Sequence, residues 1–151
     1  MKKLVLLLTI MMLSIGSAMA LPIDKYTINR SELPQEAQNT LTKYFPNAKI
    51  GMIKIDKHWL KKPDYKVRFT DGSTIEFNSK GKWKEIEMKG NKAVPDGMVM
   101  KTIQRYLSKN YPDSYVRKID KDSKGYELEL SDGIELKFDL LGTLKKVKME
   151  D

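Results

Sequence analysis

From residue 33 onward the chain alternates between two spacings of apolar residues. Ala37, Leu41 and Tyr44 recur at helical intervals, and so do Val99, Ile103, Tyr106 and Leu107. Each set falls on one face of a helix. This predicts helices over about Pro34–Tyr44 and Pro95–Asn110. Pro34 and Pro95 suit the first helical turn, where a missing N–H costs nothing. Pro46 and Pro112 stop the helices from continuing. Elsewhere the period falls to two. Tyr65, Val67 and Phe69 alternate with Lys66 and Arg68, the pattern of a strand with one buried and one wet face. The same reasoning predicts four strands after each helix. In the first half they cover about Lys49–Lys57, Asp64–Thr70, Thr74–Asn78 and Lys82–Met88. In the second they cover about Tyr115–Asp120, Gly125–Ser131, Ile134–Asp139 and Thr143–Met149.

These two halves match one another. Tyr65–Glu87 aligns with Tyr126–Lys148 at an offset of 61 residues and without a gap. Asp71-Gly72 meets Asp132-Gly133, Phe77 meets Phe138, Gly81 meets Gly142, and Ile86 meets Val147. Turn, aromatic and glycine positions coincide together, which marks an internal repeat. Asp-Gly is a strong hairpin signal and suggests two-residue turns. The expected fold class is therefore α+β, with two tandem repeats, each a helix packed on a four-stranded antiparallel meander. The expected divisions are an N-terminal segment 21–32, repeat one 33–89, a linker 90–93 and repeat two 94–151. Units of about 60 residues are marginal alone, so the two are expected to pack together, with their sheets joined or side by side.

The first twenty residues follow another rule. Lys2 and Lys3 precede an apolar run from Leu4 to Ile15, and Ala18-Met19-Ala20 forms a small-residue cleavage signal. This is the three-part pattern of a secretory signal peptide, cut after Ala20. The run is too short to cross a bilayer, which takes about 20 residues. The mature chain is thus expected to be periplasmic or secreted, with no integral membrane segment.

Composition narrows the chemistry. The 151 residues carry a net charge of +8, and there is no cysteine and one histidine. Disulfides, thiolate zinc sites, cysteine nucleophiles and multi-histidine metal centres are excluded. The basic balance comes mostly from lysine. Only Arg30, Arg68, Arg105 and Arg117 offer the bidentate fork favoured in phosphate and base recognition. Lysines interleaved with glutamates along strands read as a solvated face and as protection against edge pairing, so no nucleic-acid partner is expected. Asp120-Lys121-Asp122 begins like a calcium loop, but Lys124 and Ser131 occupy positions that require oxygen ligands. Glu85/Glu87 and Glu127/Glu129 lie on alternate strand positions, as on any wet sheet face. His58 has no orienting partner in sequence, so it does not form catalytic triad logic. No catalytic residue, metal or cofactor is expected.

The pattern resembles the PepSY-like family of exported bacterial proteins, also described as β-lactamase-inhibitor-protein-like. The matching features are Leu33-Pro34, Tyr44-Phe45-Pro46, Tyr65, Asp71-Gly72, Glu76-Phe77 and the run Gly81-Lys82-Trp83-Lys84-Glu85-Ile86. The second half carries Val94-Pro95, Asn110-Tyr111-Pro112, Asp132-Gly133 and Gly142, with Leu144 in place of the tryptophan. The resemblance spans nearly all of Glu32 to Met149. It implies a helix on a four-stranded antiparallel sheet, often in tandem, and a sheet able to grip another protein.

The resulting expectation is a non-enzymatic binding module of the cell envelope that grips a protein or peptide with its sheet. The alternatives are an inhibitor of a periplasmic hydrolase, a lactamase or peptidase, and a small-ligand envelope sensor. The candidate contact residues are His58, Trp59, Leu60, Lys61 and Lys62, because tryptophan is enriched at interface hot spots and lysines rim this apolar pair. Trp83 is expected in the core, since its counterpart Leu144 is apolar.

Overall fold

The computed structural model describes Leu21 and residues 23–149. The expected signal peptide, residues 1–20, lies outside the described residues. Nine strands form one antiparallel sheet, arranged in chain order. They are β1 (Lys25–Thr27), β2 (Ile50–Asp56), β3 (Asp64–Phe69), β4 (Thr74–Phe77), β5 (Trp83–Glu87), β6 (Val116–Lys121), β7 (Gly125–Leu130), β8 (Ile134–Asp139) and β9 (Leu144–Met149). Two helices, α1 (Gln35–Tyr44) and α2 (Lys101–Asn110), precede β2 and β6. Strands β2–β9 overlie the segments of period-two alternation. The sheet is continuous through the pairing of β5 with β6.

One face of the sheet holds the core. Ile53, Val67, Ile75, Phe77, Ile86, Ile119, Leu128 and Leu136 are fully buried there, together with Ala37 and Leu41 from α1 and Ile103 from α2. Each large apolar side chain removed from water contributes about 1.5–3 kcal/mol. Phe45 lies against Phe69 with ring centroids 5.3 Å apart, and Tyr106 meets Phe138 edge-on at 5.5 Å. The two helical regions also touch. The Tyr44 hydroxyl donates to the Gly97 carbonyl at 3.3 Å.

The hairpin turns differ from the two-residue form that Asp-Gly suggests. The Gly72 N–H donates to the Phe69 carbonyl at 3.0 Å, and the Phe69 N–H donates to the Ser73 carbonyl at 2.9 Å. That is a three-residue loop with glycine in the left-handed position, the type I turn plus bulge. A two-residue type I′ turn would need positive φ at Asp71 as well, and among the described residues only glycines have it. The Asp71 carboxylate instead accepts from the Ser73 N–H at 2.8 Å.

The turn between β4 and β5 does more than reverse the chain. Gly81 has φ +83°, and a Cβ there would lie 2.7 Å from the Ala37 backbone nitrogen. The first turn of α1 therefore sits directly on this hairpin. Gly142 meets Met100 and Thr102, beside the start of α2, in the same way.

Two further features depart from the sequence pattern. The second helix begins at Lys101 rather than near Pro95. Asp96–Met98 forms a 3-10 turn, and Val99 is extended with φ −97° and ψ 132°. Met98 and Val99 both enter the core from this non-helical segment. Gln104 replaces the missing helical bonds by donating to the Val99 carbonyl at 2.6 Å and to the Asp96 carbonyl. Strand β1 also lies in a stretch expected to be a plain N-terminal segment. It pairs Tyr26 with Lys54 at one edge of the sheet.

The seating of α1 on the Gly81 turn yields a paired test. Gly90 also has positive φ, but a Cβ there meets nothing within 4 Å. Gly90→Ala carries only the handedness cost of about 1–2 kcal/mol. Gly81→Ala adds a backbone collision and should lose at least about 1 kcal/mol more in chemical denaturation. Equal losses would mean that α1 does not rest on this turn.

Candidate functional site

The sheet face away from the helices is wet, because strand residues alternate sides and the inward set is apolar. Register places its side chains in rows across the strands. One row runs Lys54, Lys66, Glu76, Glu85, Asp120, Glu127, Lys137 and Lys146, from β2 to β9. Four carboxylates thus occupy the centre and two lysines stand on each wing. Lys66 pairs with Glu76 at 2.7 Å and Lys137 with Glu127 at 2.8 Å. The middle pair, Glu85 and Asp120, share Lys118, whose Nζ is 3.5 Å from each.

Like charges directly opposite each other on adjacent strands are destabilising. Burial pushes the Glu85 carboxyl above its usual range, and the facing Asp120 pushes it the same way, while Lys118 and Lys66 oppose them. Burial works against the charge on Lys118, yet Asp120 and Glu85 raise its pKa overall. Glu87, one pair further along β5, is shifted down by its bond to Lys89.

The middle of this row, from Glu76 to Lys137, floors an open cleft of about 620 Å³ that Lys84, Lys121 and Lys145 also line. The β6–β7 loop at its rim holds the segment that begins like a calcium loop. There the Asp122 carboxylate accepts from the Lys124 and Gly125 N–H groups at 2.7 and 3.1 Å, so it braces the turn. Among the described residues no three histidine, aspartate or glutamate side chains are grouped to hold a metal ion.

His58, Trp59, Leu60, Lys61 and Lys62 lie together in the loop between β2 and β3. All five are exposed, Trp59 by 55% and Leu60 by 90%. The loop is anchored at its start, where the Lys57 N–H donates to Asp24 at 3.3 Å. It ends at β3, where Asp64 pairs with Lys84 of the cleft wall at 2.9 Å. The structure thus links the cleft wall to the start of β3, while none of the five loop residues lines the cleft. Trp83 is half-buried against the core, with Lys121 Nζ 5.6 Å from its ring centroid. Sequence reasoning passed over the central carboxylate row, because it treated Glu85 and Glu127 as unrelated wet positions. The 61-residue offset aligns the halves with one another but does not give the register between β5 and β6, which alone brings Glu85 opposite Asp120.

The family described as "Putative beta-lactamase-inhibitor-like, PepSY-like" matches residues 63–146. Among solved structures, a periplasmic protein of unknown function from Bacteroides vulgatus is 38% identical. It superposes with a TM-score of 0.78 over 83% of this chain and 99% of that one. A Bacteroides thetaiotaomicron periplasmic protein described as calcium-regulated is also 38% identical, with a TM-score of 0.77 over 83% and 96% of the two chains. No match is found among curated proteins. None of the described helices is long and apolar enough to cross a membrane.

The carboxylate pair at the β5–β6 junction gives a pH prediction. Glu85 protonates more readily folded than unfolded, so its ionisation opposes folding as pH rises above the ordinary value of 4.5. Glu85→Gln should therefore stabilise the protein at pH 7 by a few tenths to about 1 kcal/mol. That gain should shrink as pH falls toward 4.5, where the parent carboxyl takes up its proton. Thermal unfolding at the two pH values reads both effects. A variant less stable than the parent at pH 7 would mean that the Lys118 contact outweighs the repulsion.

Proposed function

Because the chain belongs to the PepSY-like, β-lactamase-inhibitor-like family, we propose that it is an exported, non-enzymatic binding module that grips a protein or peptide of the cell envelope. We read it as two tandem units, each a helix on a four-stranded meander, delivered by a signal peptide cut after Ala20. The observation that carries the proposal is the placement of Trp59 and Leu60. A tryptophan and a leucine stand in water in the β2–β3 loop, flanked along the chain by the exposed Lys57, Lys61 and Lys62. An apolar pair in a cationic rim suits a partner with an apolar socket and acidic surroundings. His58 lies in the same contact segment.

A second reading, inhibition of a periplasmic hydrolase, draws on the family description. Sheet and loop would then block the enzyme's site as a protein ligand does, with no chemistry of their own. A small-ligand sensor has weaker support, because the cleft is open and floored by charge, whereas small-molecule sites are mostly apolar and enclosed.

The test uses immobilised residues 21–151 and periplasmic extract from the host at low and moderate salt. One protein should be retained, and Trp59→Ala or Lys61→Glu should weaken its binding about tenfold or more, the loss of about 1.4 kcal/mol that a hot-spot side chain carries. Binding indifferent to both substitutions would remove the loop from the site. Adding the protein in excess to lactamases and peptidases from the same extract then separates the readings, since only an inhibitor slows one of them.

A further inference from the structure

The two ends of the sheet are finished differently, and the β9 end is open. At the 61-residue offset, Val147 and Met149 of β9 correspond to Ile86 and Met88 at the end of β5. Next to β6, Ile86 is fully buried and Met88 is 7% exposed. Among the described residues no strand lies beyond β9, and Val147 is 42% exposed and Met149 is 74% exposed. The helix-facing side of β9 thus has the apolar pattern of a covered strand without the cover.

Its solvent-facing side carries a charge of one sign. Lys146 and Lys148 stand where β5 has Glu85 and Glu87. Lys146 lies directly opposite Lys137, a like-charge pair. Lys148 reaches Glu135 only at 3.8 Å. A carboxylate beyond Lys146 would relieve the Lys137–Lys146 contact, and one beyond Lys148 would add a pair.

We propose that the β9 edge is a strand-addition site for an extended acidic segment of another protein, with apolar and acidic residues in alternation. The β5–β6 junction supplies the geometry. There Ile119 covers Ile86 while charged residues of β6 face Glu85 and Glu87. On β9 the added strand runs antiparallel in the same way. Its apolar residue covers Val147 and its carboxylates face Lys146 and Lys148. Main-chain hydrogen bonds hold it and alternate side chains select it. A second copy of this chain is a poor occupant. Two β9 edges would set lysine against lysine. The β1 edge would bring Lys25, which shares the inward row of Ile55, onto the apolar side. The lysines therefore repel copies and admit an acidic strand. The site is independent of the Trp59 loop, which lies at the β2–β3 end of the sheet.

The probe is a short, capped, fluorescent peptide of alternating glutamate and valine, titrated against residues 21–151 and followed by anisotropy. Saturable binding is expected, with slower amide exchange in β9. Lys146→Glu with Lys148→Glu should weaken it about tenfold or more, in a variant whose circular dichroism matches the parent. A peptide N-methylated on alternate amides keeps its charge but cannot complete an edge ladder, so against the parent protein it should lose binding. Trp59→Ala should bind as the parent does, whatever becomes of the envelope partner. No saturable binding overturns the proposal. Equal binding of the N-methylated peptide reduces it to charge adsorption and also overturns it. A dimer in sedimentation that Lys146→Glu abolishes would make a second copy the occupant and overturn it too.

Discussion

Ile86 and Ile119 face each other across the β5–β6 junction, both fully buried, and the remainder of the molecule depends on that contact. The chain between β5 and β6 runs from Met88 to Tyr115 and includes α2, yet the two strands pair at Glu85–Asp120, Ile86–Ile119 and Glu87–Lys118. Without the junction the sheet would end at β5 and begin again at β6, with Ile86 and Ile119 on open edges. With it, apolar rows from β2 to β8 become one surface under both helices. The seam also sets a cost. Bringing Ile86 to Ile119 fixes Glu85 opposite Asp120, because side chains alternate along both strands. Lys118 lies between the two carboxylates and offsets part of their repulsion.

A sheet this wide leaves two edges and one face for other molecules. The edges are treated unequally. β1 is three residues long, which is one means of blunting an edge. β9 is six residues long and relies on lysine. The wet face has an acidic centre and basic wings, an arrangement that follows from register and that neither half contains alone. The loop from His58 to Lys62 lies within the first half, between β2 and β3. It belongs to no strand, and Trp59 and Leu60 are carried clear of the core.

Much of this was legible in the sequence. Period-two alternation located β2–β9 because the core lies on one side only, and the helical spacing of Ala37 and Leu41 located α1. The Gly81 and Gly142 turns were legible as turns, though not as seats for helix ends, since that needs the tertiary approach of Ala37 and Met100. β1 was missed because Lys25-Tyr26-Thr27 is too short and polar to show a period. It becomes a strand by borrowing the edge of β2. The start of α2 was misplaced because Val99 has the spacing of a helix position but enters the core from an extended backbone. The carboxylate row was out of reach, as local patterns carry no information on the register between strands separated by a helix.

The most direct test of the account is whether both halves unfold as one body. Trp59 and Trp83 both lie before the β5–β6 junction, so tryptophan emission reports the first half, whereas far-ultraviolet circular dichroism reports the whole chain. Denaturant unfolding of residues 21–151 should give a single transition with the same midpoint by both probes. An emission change that separates from the circular dichroism change would show that the halves are independent, and would contradict a sheet held together through Ile86 and Ile119.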